Sequence, residues 1–574
     1  MNYDDSFLRR QYLINLFPIM FSILGGTINA LIDSVFISLV LGKDGLSAVT
    51  LSMPVYLVMC SLGALIASGG SLLSAREAGK ENIKSAVRYY HSSLTLTLIC
   101  GVLFSAFAFF CRPLSDLLAQ GSLLNEYIYQ YIYVSLLGSL PFMMLYSPVF
   151  YLQLAGKRKE ITMMTFIMVS LDTILDAVLL FIYPMGITGA AIASVISTLA
   201  ACVYGFACLN RKGSDYRFSP KLIGVKGTGS IIRFGSPTAL GNFYDAIRLL
   251  VINALILKFA GVSGAAVWAI LNTLSELSLI IVSGIPQAAA PMTGVYYAAH
   301  ENTGIRVLFK IEIVVAFVMS MIFGVALILL HRPLEMLFNS PEDLALPLLA
   351  LSLSVLANVI STIWSVYFNT SGRIGLSNFI TAMRRLVFPI AVLIFYGIRS
   401  ELYLWNFLPV SALFSIILTW LIVVVISAGS KSGKVPLSGM LLLDDHLERE
   451  NKVLDYSVAA DIESVCDASE RIKEFCQANN MDKKNIYRMG LAIEELLTVM
   501  IQKSNSNLKT IDMRSFALEE TTGVRIRCAG ERYNPFEHVD EDEDFYMGIS
   551  MLEKTATYVH HSYTLGMNTI IILL

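Results

Sequence analysis

Up to residue 430, apolar residues come in long unbroken runs separated by short clusters of Gly, Pro and charge. A helix of roughly 20 apolar residues crosses the hydrocarbon of a bilayer, and by that criterion the pattern predicts about twelve spans. They lie near residues 14–41, 46–72, 87–110, 128–155, 161–183, 187–209, 236–260, 265–290, 307–330, 345–369, 378–397 and 402–428. Beyond Pro436 the pattern is that of a soluble domain. Ile462, Val465, Ile472 and Phe475 recur at helical spacing, 483–503 repeats this, and 510–516 and 523–528 alternate like paired strands. An acidic loop, Glu541 to Asp544, precedes a predicted helix over 545–559 and a terminal strand over 568–574. The expected fold is an α-helical polytopic membrane body followed by a compact α/β sandwich.

Composition supports the membrane reading: 55% of residues are hydrophobic, 15% are charged, and the mean hydropathy is +0.64. The first run follows a segment that is acidic before it is basic and continues past the length of a signal core, so no removable signal peptide is expected. The eight cysteines show no metal-ligand spacing and read as free thiols. After Gly439 there are 24 acidic and 14 basic residues, leaving 20 and 28 before it. A basic membrane body therefore carries an acidic tail domain.

Short loops rich in Lys and Arg stay in the cytoplasm. Arg9, Arg10, Arg76, Lys80, Lys84, Arg88, Lys157, Arg158, Lys159, Arg211, Lys212, Lys221, Lys226, Arg233, Arg306, Lys310, Arg373, Arg384 and Arg385 read as one side, against Lys43, Arg112, Arg332 and Arg399 on the other. Both termini are therefore expected in the cytoplasm, with the body in the plasma membrane. The chain also repeats internally. Cys111-Arg-Pro-Leu returns as His331-Arg-Pro-Leu and Gly79-Lys-Glu-Asn82 as Ala299-His-Glu-Asn302, both 220 residues on, and Gly42-Lys-Asp-Gly45 as Gly261-Val-Ser-Gly264, 219 on. These anchors divide the body into two lobes of like topology, 10–210 and 211–430, then a linker, 431–450, and a tail domain, 451–574. Two-lobed transporter bodies of this kind rock between access states.

Asp172 and Asp176 lie inside the apolar run 161–183. Four residues apart, they project from one helix face, about 6 Å apart along the axis. An ionised carboxylate in the bilayer centre costs about 2.5 kcal/mol or more, so such acids face a protein interior or a water-filled path. The pair reads as a cation or proton site. In the second lobe Asp245, Arg248 and Glu276 lie in or near apolar runs. Asp245 and Arg248, three apart on one helix, suit either an internal ion pair or part of a substrate path.

The body resembles the multidrug and toxic compound extrusion (MATE) family. The residues that carry this are Pro18 with Leu31-Ile-Asp-Ser-Val-Phe-Ile-Ser-Leu-Val-Leu-Gly42, Gly186-Ile-Thr-Gly-Ala-Ala-Ile-Ala-Ser-Val-Ile-Ser197 and Gly284-Ile-Pro-Gln-Ala-Ala-Ala-Pro291. The resemblance implies a first helix kinked at Pro18 and a first-lobe cation site of Asp33, Asp172, Asp176 and Ser194, with Asn29 one turn before Asp33. The family commonly has Asn where Asp172 stands and Thr where Ser194 stands. It also implies export of small, cationic amphiphiles driven by H⁺ or Na⁺, with no organic cofactor and no nucleic-acid partner. The 26 Tyr and 23 Met suit a pliable cavity for flat cations. A lipid-linked oligosaccharide flippase of the same superfamily is the first rival, disfavoured because the candidate cavity shows acids and little base.

The tail resembles the ATP-binding domain of histidine kinases and anti-sigma-factor kinases, through Gly490-Leu-Ala-Ile-Glu-Glu-Leu-Leu-Thr-Val-Met-Ile501, Cys528-Ala-Gly-Glu-Arg-Tyr-Asn-Pro-Phe-Glu537 and Met547-Gly-Ile-Ser-Met-Leu-Glu-Lys554. Around Glu495 and Gly530 the chemistry departs from that family. Val499 stands where its magnesium-binding Asn would be, and Cys528 where its adenine-reading Asp would be. Hydrolysis is not expected. The tail reads as a regulatory module, a docking site for a cytoplasmic partner or a means of self-association. A sensor that signals through the tail is the second rival, and it would need a working nucleotide site.

Overall fold

The computed structural model describes residues 5–119, 124–211, 215–219, 224, 227–338, 343–399, 401–429, 436–444, 446–450, 452–503, 510–517, 522–537 and 547–573. The predicted acidic loop, the start of the linker, and Lys212, Lys221 and Lys226 lie outside them. Among the described residues, ten helices are long and apolar enough to cross a membrane, and a pair bent by 57° makes an eleventh. They are α1 (Ser6–Gly42), α2 (Ser47–Gly79), α3 (Ile83–Phe110), α4 (the bent pair Asn125–Leu137 and Ser139–Leu154), α5 (Arg158–Ile182), α6 (Ile187–Leu209), α8 (Ser263–Ala298), α9 (Asn302–Leu329), α10 (Ala345–Thr370), α11 (Ile374–Arg399) and α12 (Leu404–Ser427). The expected twelfth, α7 (228–260), opens the longer helix Thr228–Val282. It carries Arg233, Asp245, Arg248 and Lys258 and does not meet the apolarity criterion.

The internal repeat has a backbone counterpart. Gly42 and Gly261 break their helices at φ 65°, ψ −155° and φ 64°, ψ −158°, a conformation open to glycine and strained for other residues. The Arg-Pro-Leu anchors form matching short helices, Arg112–Ala119 and His331–Phe338. Pro18 lies inside α1 and Pro237, 219 residues on, inside α7. The backbone stays helical around Pro18, and the break in this segment is at Gly42.

The lobes meet where α2 crosses α7. A Cβ on Gly69 would lie 2.0 Å from the Ile231 carbonyl oxygen, and one on Gly235 would lie 1.9 Å from that of Leu65. Such close backbone approach is the reason for small residues at helix crossings in membranes. Tyr12 Oη donates to the Ile285 carbonyl at 3.2 Å, Gln153 Nε2 to that of Ala288 at 3.1 Å, and Asn242 Nδ2 to Ser61 Oγ at 3.2 Å. These contacts run from mid-helix to the end of the bundle that carries the tail, here called the tail side.

The tail is an antiparallel five-stranded sheet, β1 (Val453–Ala459), β2 (Thr510–Ala517), β3 (Thr522–Ala529), β4 (Tyr558–Thr564) and β5 (Met567–Leu573), in the order β1-β2-β3-β5-β4. It packs with α13 (Ile462–Ala478), α14 (Lys483–Lys503) and α15 (Met547–Thr555). The helix expected over 545–559 is the shorter α15, and its last residues belong to β4. One sheet face, with Ile511, Met513, Val524, Ile526 and Ile570, joins the helices in a hydrophobic core.

The opposite face alternates to Arg514, Arg525 and Arg527, and period two would place it in water. It is buried instead, against the tail side of the body. Arg525 pairs with Glu81 at 3.1 Å and with Glu301 at 2.6 Å, Arg527 also pairs with Glu301, and Arg514 donates to the His300 carbonyl at 2.6 Å. Leu565, at the tip of the β4–β5 hairpin with φ 61°, is fully buried in the body's core, and its N–H donates to the Leu154 carbonyl at 2.7 Å. Positive φ is uncommon outside glycine, Asn and Asp. The linker is no free tether over its described part. Tyr367 Oη and Arg373 donate to the Leu441 and Leu442 carbonyls, and Leu441 to Leu443 are buried.

Candidate functional site

Asp33 on α1 and Asp172 and Asp176 on α5 converge, with carboxylate oxygens within 4.8 Å of one another. Asp172 and Asp176 are fully buried and Asp33 half-buried. Asn29 Nδ2 donates to Asp172 Oδ2 at 2.5 Å and lies 3.4 Å from Asp33 Oδ2. Ser197 Oγ donates to Asp172 Oδ1 at 2.9 Å. Among the described residues, neither oxygen of Asp176 has a hydrogen-bond donor, and Asp33 Oδ1 and Asn29 Oδ1 also lack partners. Directly after Asp176 the helix widens into a π-helical turn, Ala177–Ile182. Such turns recur at functional sites because they re-aim side chains.

Asn29, Asp33, Asp172 and Ser194 line a chamber of about 350 Å³ whose walls include Tyr56, Tyr131, Phe142 and Tyr146. Three carboxylates this close cannot all stay ionised without a cation or shared protons, because like charge and loss of water both disfavour the anion. The free oxygens of Asp176, Asp33 and Asn29 are hard donors of the kind that suit Na⁺, and a carboxyl among them can equally hold a proton.

The second lobe holds a different cluster. Asp245 accepts from Arg385 and lies 3.4 Å from Arg248. Arg384 and Arg385 sit in a second π-helical turn, Met383–Val387, inside α11. Both line a cavity of about 210 Å³ between the lobes. One expectation is corrected here: Arg384 and Arg385 are not loop residues marking one side of the membrane. Among the described residues the acidic chamber has no basic side chain in its lining, whereas this separate space between the lobes has two. Glu276 is exposed and makes no ion pair in this cluster among the described residues. Sequence reasoning also missed Ser197, one turn past Ser194, and Glu312, 5% exposed on α9. Glu312 sits inside an apolar run, so the criterion that found Asp172 reaches it too.

In the tail, Val499 and Cys528 are 2% and 3% exposed and belong to the hydrophobic core. Burial pushes the Cys528 thiol up to about 12. Glu495 is half-buried, and Gly530 donates its N–H to the Gly566 carbonyl at 3.3 Å.

The fold has counterparts among known proteins. The MatE family model matches residues 18–182. The multidrug export protein MepA of Staphylococcus haemolyticus (strain JCSC1435) is 25% identical over 385 residues, 65% of this chain and 83% of that protein. Residues 18–182 thus match the MatE family, and the membrane body is similar to MATE transporters. Another relative, an FAD transporter of Shewanella oneidensis, is 26% identical over 340 residues, 58% of this chain and 74% of that one. The body also superposes on the outward-facing structure of a multidrug resistance MATE transporter of the MOP superfamily, with a TM-score of 0.67 and 21% identity over 72% of this chain and 94% of that chain. The apolar helices and these relatives together mark a multi-pass membrane protein with small molecules as its class of substrate.

Proposed function

We propose that the chain is a secondary-active exporter of small amphiphiles, driven by H⁺ or Na⁺ bound among Asp33, Asp172 and Asp176, with its tail side and both termini in the cytoplasm. The single observation that supports this is the convergence of three carboxylates from two helices, two of which, Asp33 and Asp172, line one aromatic-walled chamber. Loading the chamber with a cation neutralises it and stabilises one arrangement of α1 against α5, and emptying it favours another. A ligand shifts such an equilibrium only by its difference in affinity for the two states. The tyrosine and phenylalanine faces beside the acids suit a flat organic cation as cargo. Kinship alone does not fix the cargo, since the relatives are named for multidrug export and for FAD transport.

The tail domain regulates this cycle by holding the tail-side ends of the lobes together, through Arg525 and the Leu565 hairpin, without nucleotide hydrolysis. The test of coupling is efflux of a fluorescent organic cation from proteoliposomes under imposed proton or sodium gradients. Asp176→Asn abolishes gradient-driven efflux and spares passive dye binding. Unchanged efflux in that variant overturns the coupling assignment.

A further inference from the structure

We propose that the cavity between the lobes is an anion site, which seats the carboxylate or phosphate group of a small amphiphile on Arg384 and Arg385. The only charged side chains lining it, among the described residues, are these two guanidiniums. Neighbouring residues on a regular helix point about 100° apart, yet the π-helical turn at Met383–Val387 lets both line one space. The rest of the wall is rich in hydrogen-bonding groups, among them Thr238, Asn242, Gln287 and Thr381.

The counter-charge does not balance. Asp245 serves both Arg385 and Arg248. Arg384 is 8% exposed, its Nε has no hydrogen-bond partner, and no carboxylate pairs with it among the described residues. An uncompensated charge taken out of water is strongly unfavourable. The planar fork of a guanidinium matches a carboxylate or phosphate with two parallel hydrogen bonds. A ligand anion supplies what the protein leaves out. Phe150 and Gln287 line both this cavity and the acidic chamber, so the two sites adjoin with opposite charge. The inference deepens the exporter reading, because it adds anionic amphiphiles to the cargo and gives them a seat separate from the coupling ion.

The experiment measures equilibrium binding to the full-length protein in phosphatidylcholine nanodiscs, with no ion gradient imposed. The probes are 2-naphthoate, 2-naphthyl phosphate and 2-naphthyltrimethylammonium, which share a ring and differ in charge. Arg384→Gln weakens both anions at least tenfold and leaves the ammonium compound, which suits the acidic chamber, unaffected. Arg384→Lys keeps the charge without the fork and weakens the anions severalfold, which covers the case in which Arg384→Gln fails to fold. Phosphatidic acid in the nanodisc that competes with 2-naphthyl phosphate assigns the site to lipid phosphate, and absence of competition assigns it to free anions. Anion affinity unchanged in both variants, or an equal loss of anion and ammonium affinity in Arg384→Gln, overturns the proposal. Because no gradient is applied, that failure leaves the coupling assignment standing, and unaltered efflux in Asp176→Asn leaves this one standing.

Discussion

The docking of the tail turns on Glu301, and replacing it with glutamine tests what the contact is worth. Its carboxylate accepts from Arg525 at 2.6 Å on one oxygen and from Arg527 on the other, with side-chain exposures of 9%, 10% and 4% for the three groups. Burial alone would push the carboxyl up, but Arg527, Arg525 and Arg514 together hold it below the usual glutamate range. Removing one partner of a buried ion pair costs on the order of 3–5 kcal/mol, because the remaining charge stays buried and unpaired. Glutamine keeps one acceptor oxygen, so the lower end applies. About 3 kcal/mol is roughly a hundredfold in the ratio of docked to undocked tail. The amide of Leu565, bonded to the Leu154 carbonyl across the domain boundary, reports undocking by hydrogen exchange. In Glu301→Gln that amide exchanges about a hundredfold faster, while Ile526 and Ile570, paired within the sheet, keep their protection. Efflux in proteoliposomes speeds up as the restraint is lost. Unchanged exchange at Leu565 refutes the energetic argument, and faster exchange with unaltered efflux refutes the regulatory one.

The pH dependence of docking follows from the sign of the same shift. A carboxyl held low in the docked state contributes fully above the ordinary glutamate value of about 4.3, and that contribution fades only as pH falls below it. Leu565 exchange, corrected for intrinsic rate, is therefore flat between about pH 6 and pH 8 and rises in acid below about pH 4. Gly156→Ala undocks the hairpin by a separate route. Gly156 has φ +71°, and an added Cβ would lie 2.3 Å from the Gly566 nitrogen. The left-handed backbone costs about 1–2 kcal/mol even before the clash, and the Leu565 amide reads the sum. In the tail, magnesium-ATP leaves the thermal midpoint of the full-length protein unchanged. A ligand at a hundred times its Kd would stabilise by about 2.7 kcal/mol, so a clear upward shift would mean a working nucleotide site.

The parts of the chain legible in sequence are those on which the bilayer imposes one solution. Apolar runs must be helices because nothing else satisfies the backbone in hydrocarbon, and Asp172 and Asp176 stand out because lipid excludes them. Gly42 and Gly261 could be paired by register alone, and their matching backbone angles follow from glycine's freedom. Misreadings arose where a rule keyed to residue type met a local distortion. Arg384 and Arg385 look like loop charges until a π-helical turn draws them between the lobes. Ser197, one helical turn past Ser194, donates to Asp172, and composition does not single it out. The tail's polar sheet face looks solvated because alternation cannot tell water from a charged protein surface. Only the complementary Glu81 and Glu301 reveal what covers it.

Those two glutamates also bear on how one domain can govern two lobes. They lie 220 residues apart, at the same place in the repeated Glu-Asn anchors that divide the body. Arg525 holds both, with Nη2 3.1 Å from Glu81 and Nη1 2.6 Å from Glu301. A hydrogen bond stretched to about 3.6 Å is no longer one, so separating the tail-side ends of the lobes by little more than an ångström breaks one of these contacts. Leu565 seated beside Leu154 holds the tail to the first lobe independently, while Arg527 and the buried Leu441 to Leu443 segment hold it to the second. Opening the tail side must therefore detach the tail from one lobe or the other. A bond to a charged group contributes about 1.5–3 kcal/mol, which is enough to bias a rocking equilibrium tenfold or more without any contact to the acidic chamber. On the proposed exporter reading, whatever loosens the polar sheet face shifts access to the chamber from outside the membrane.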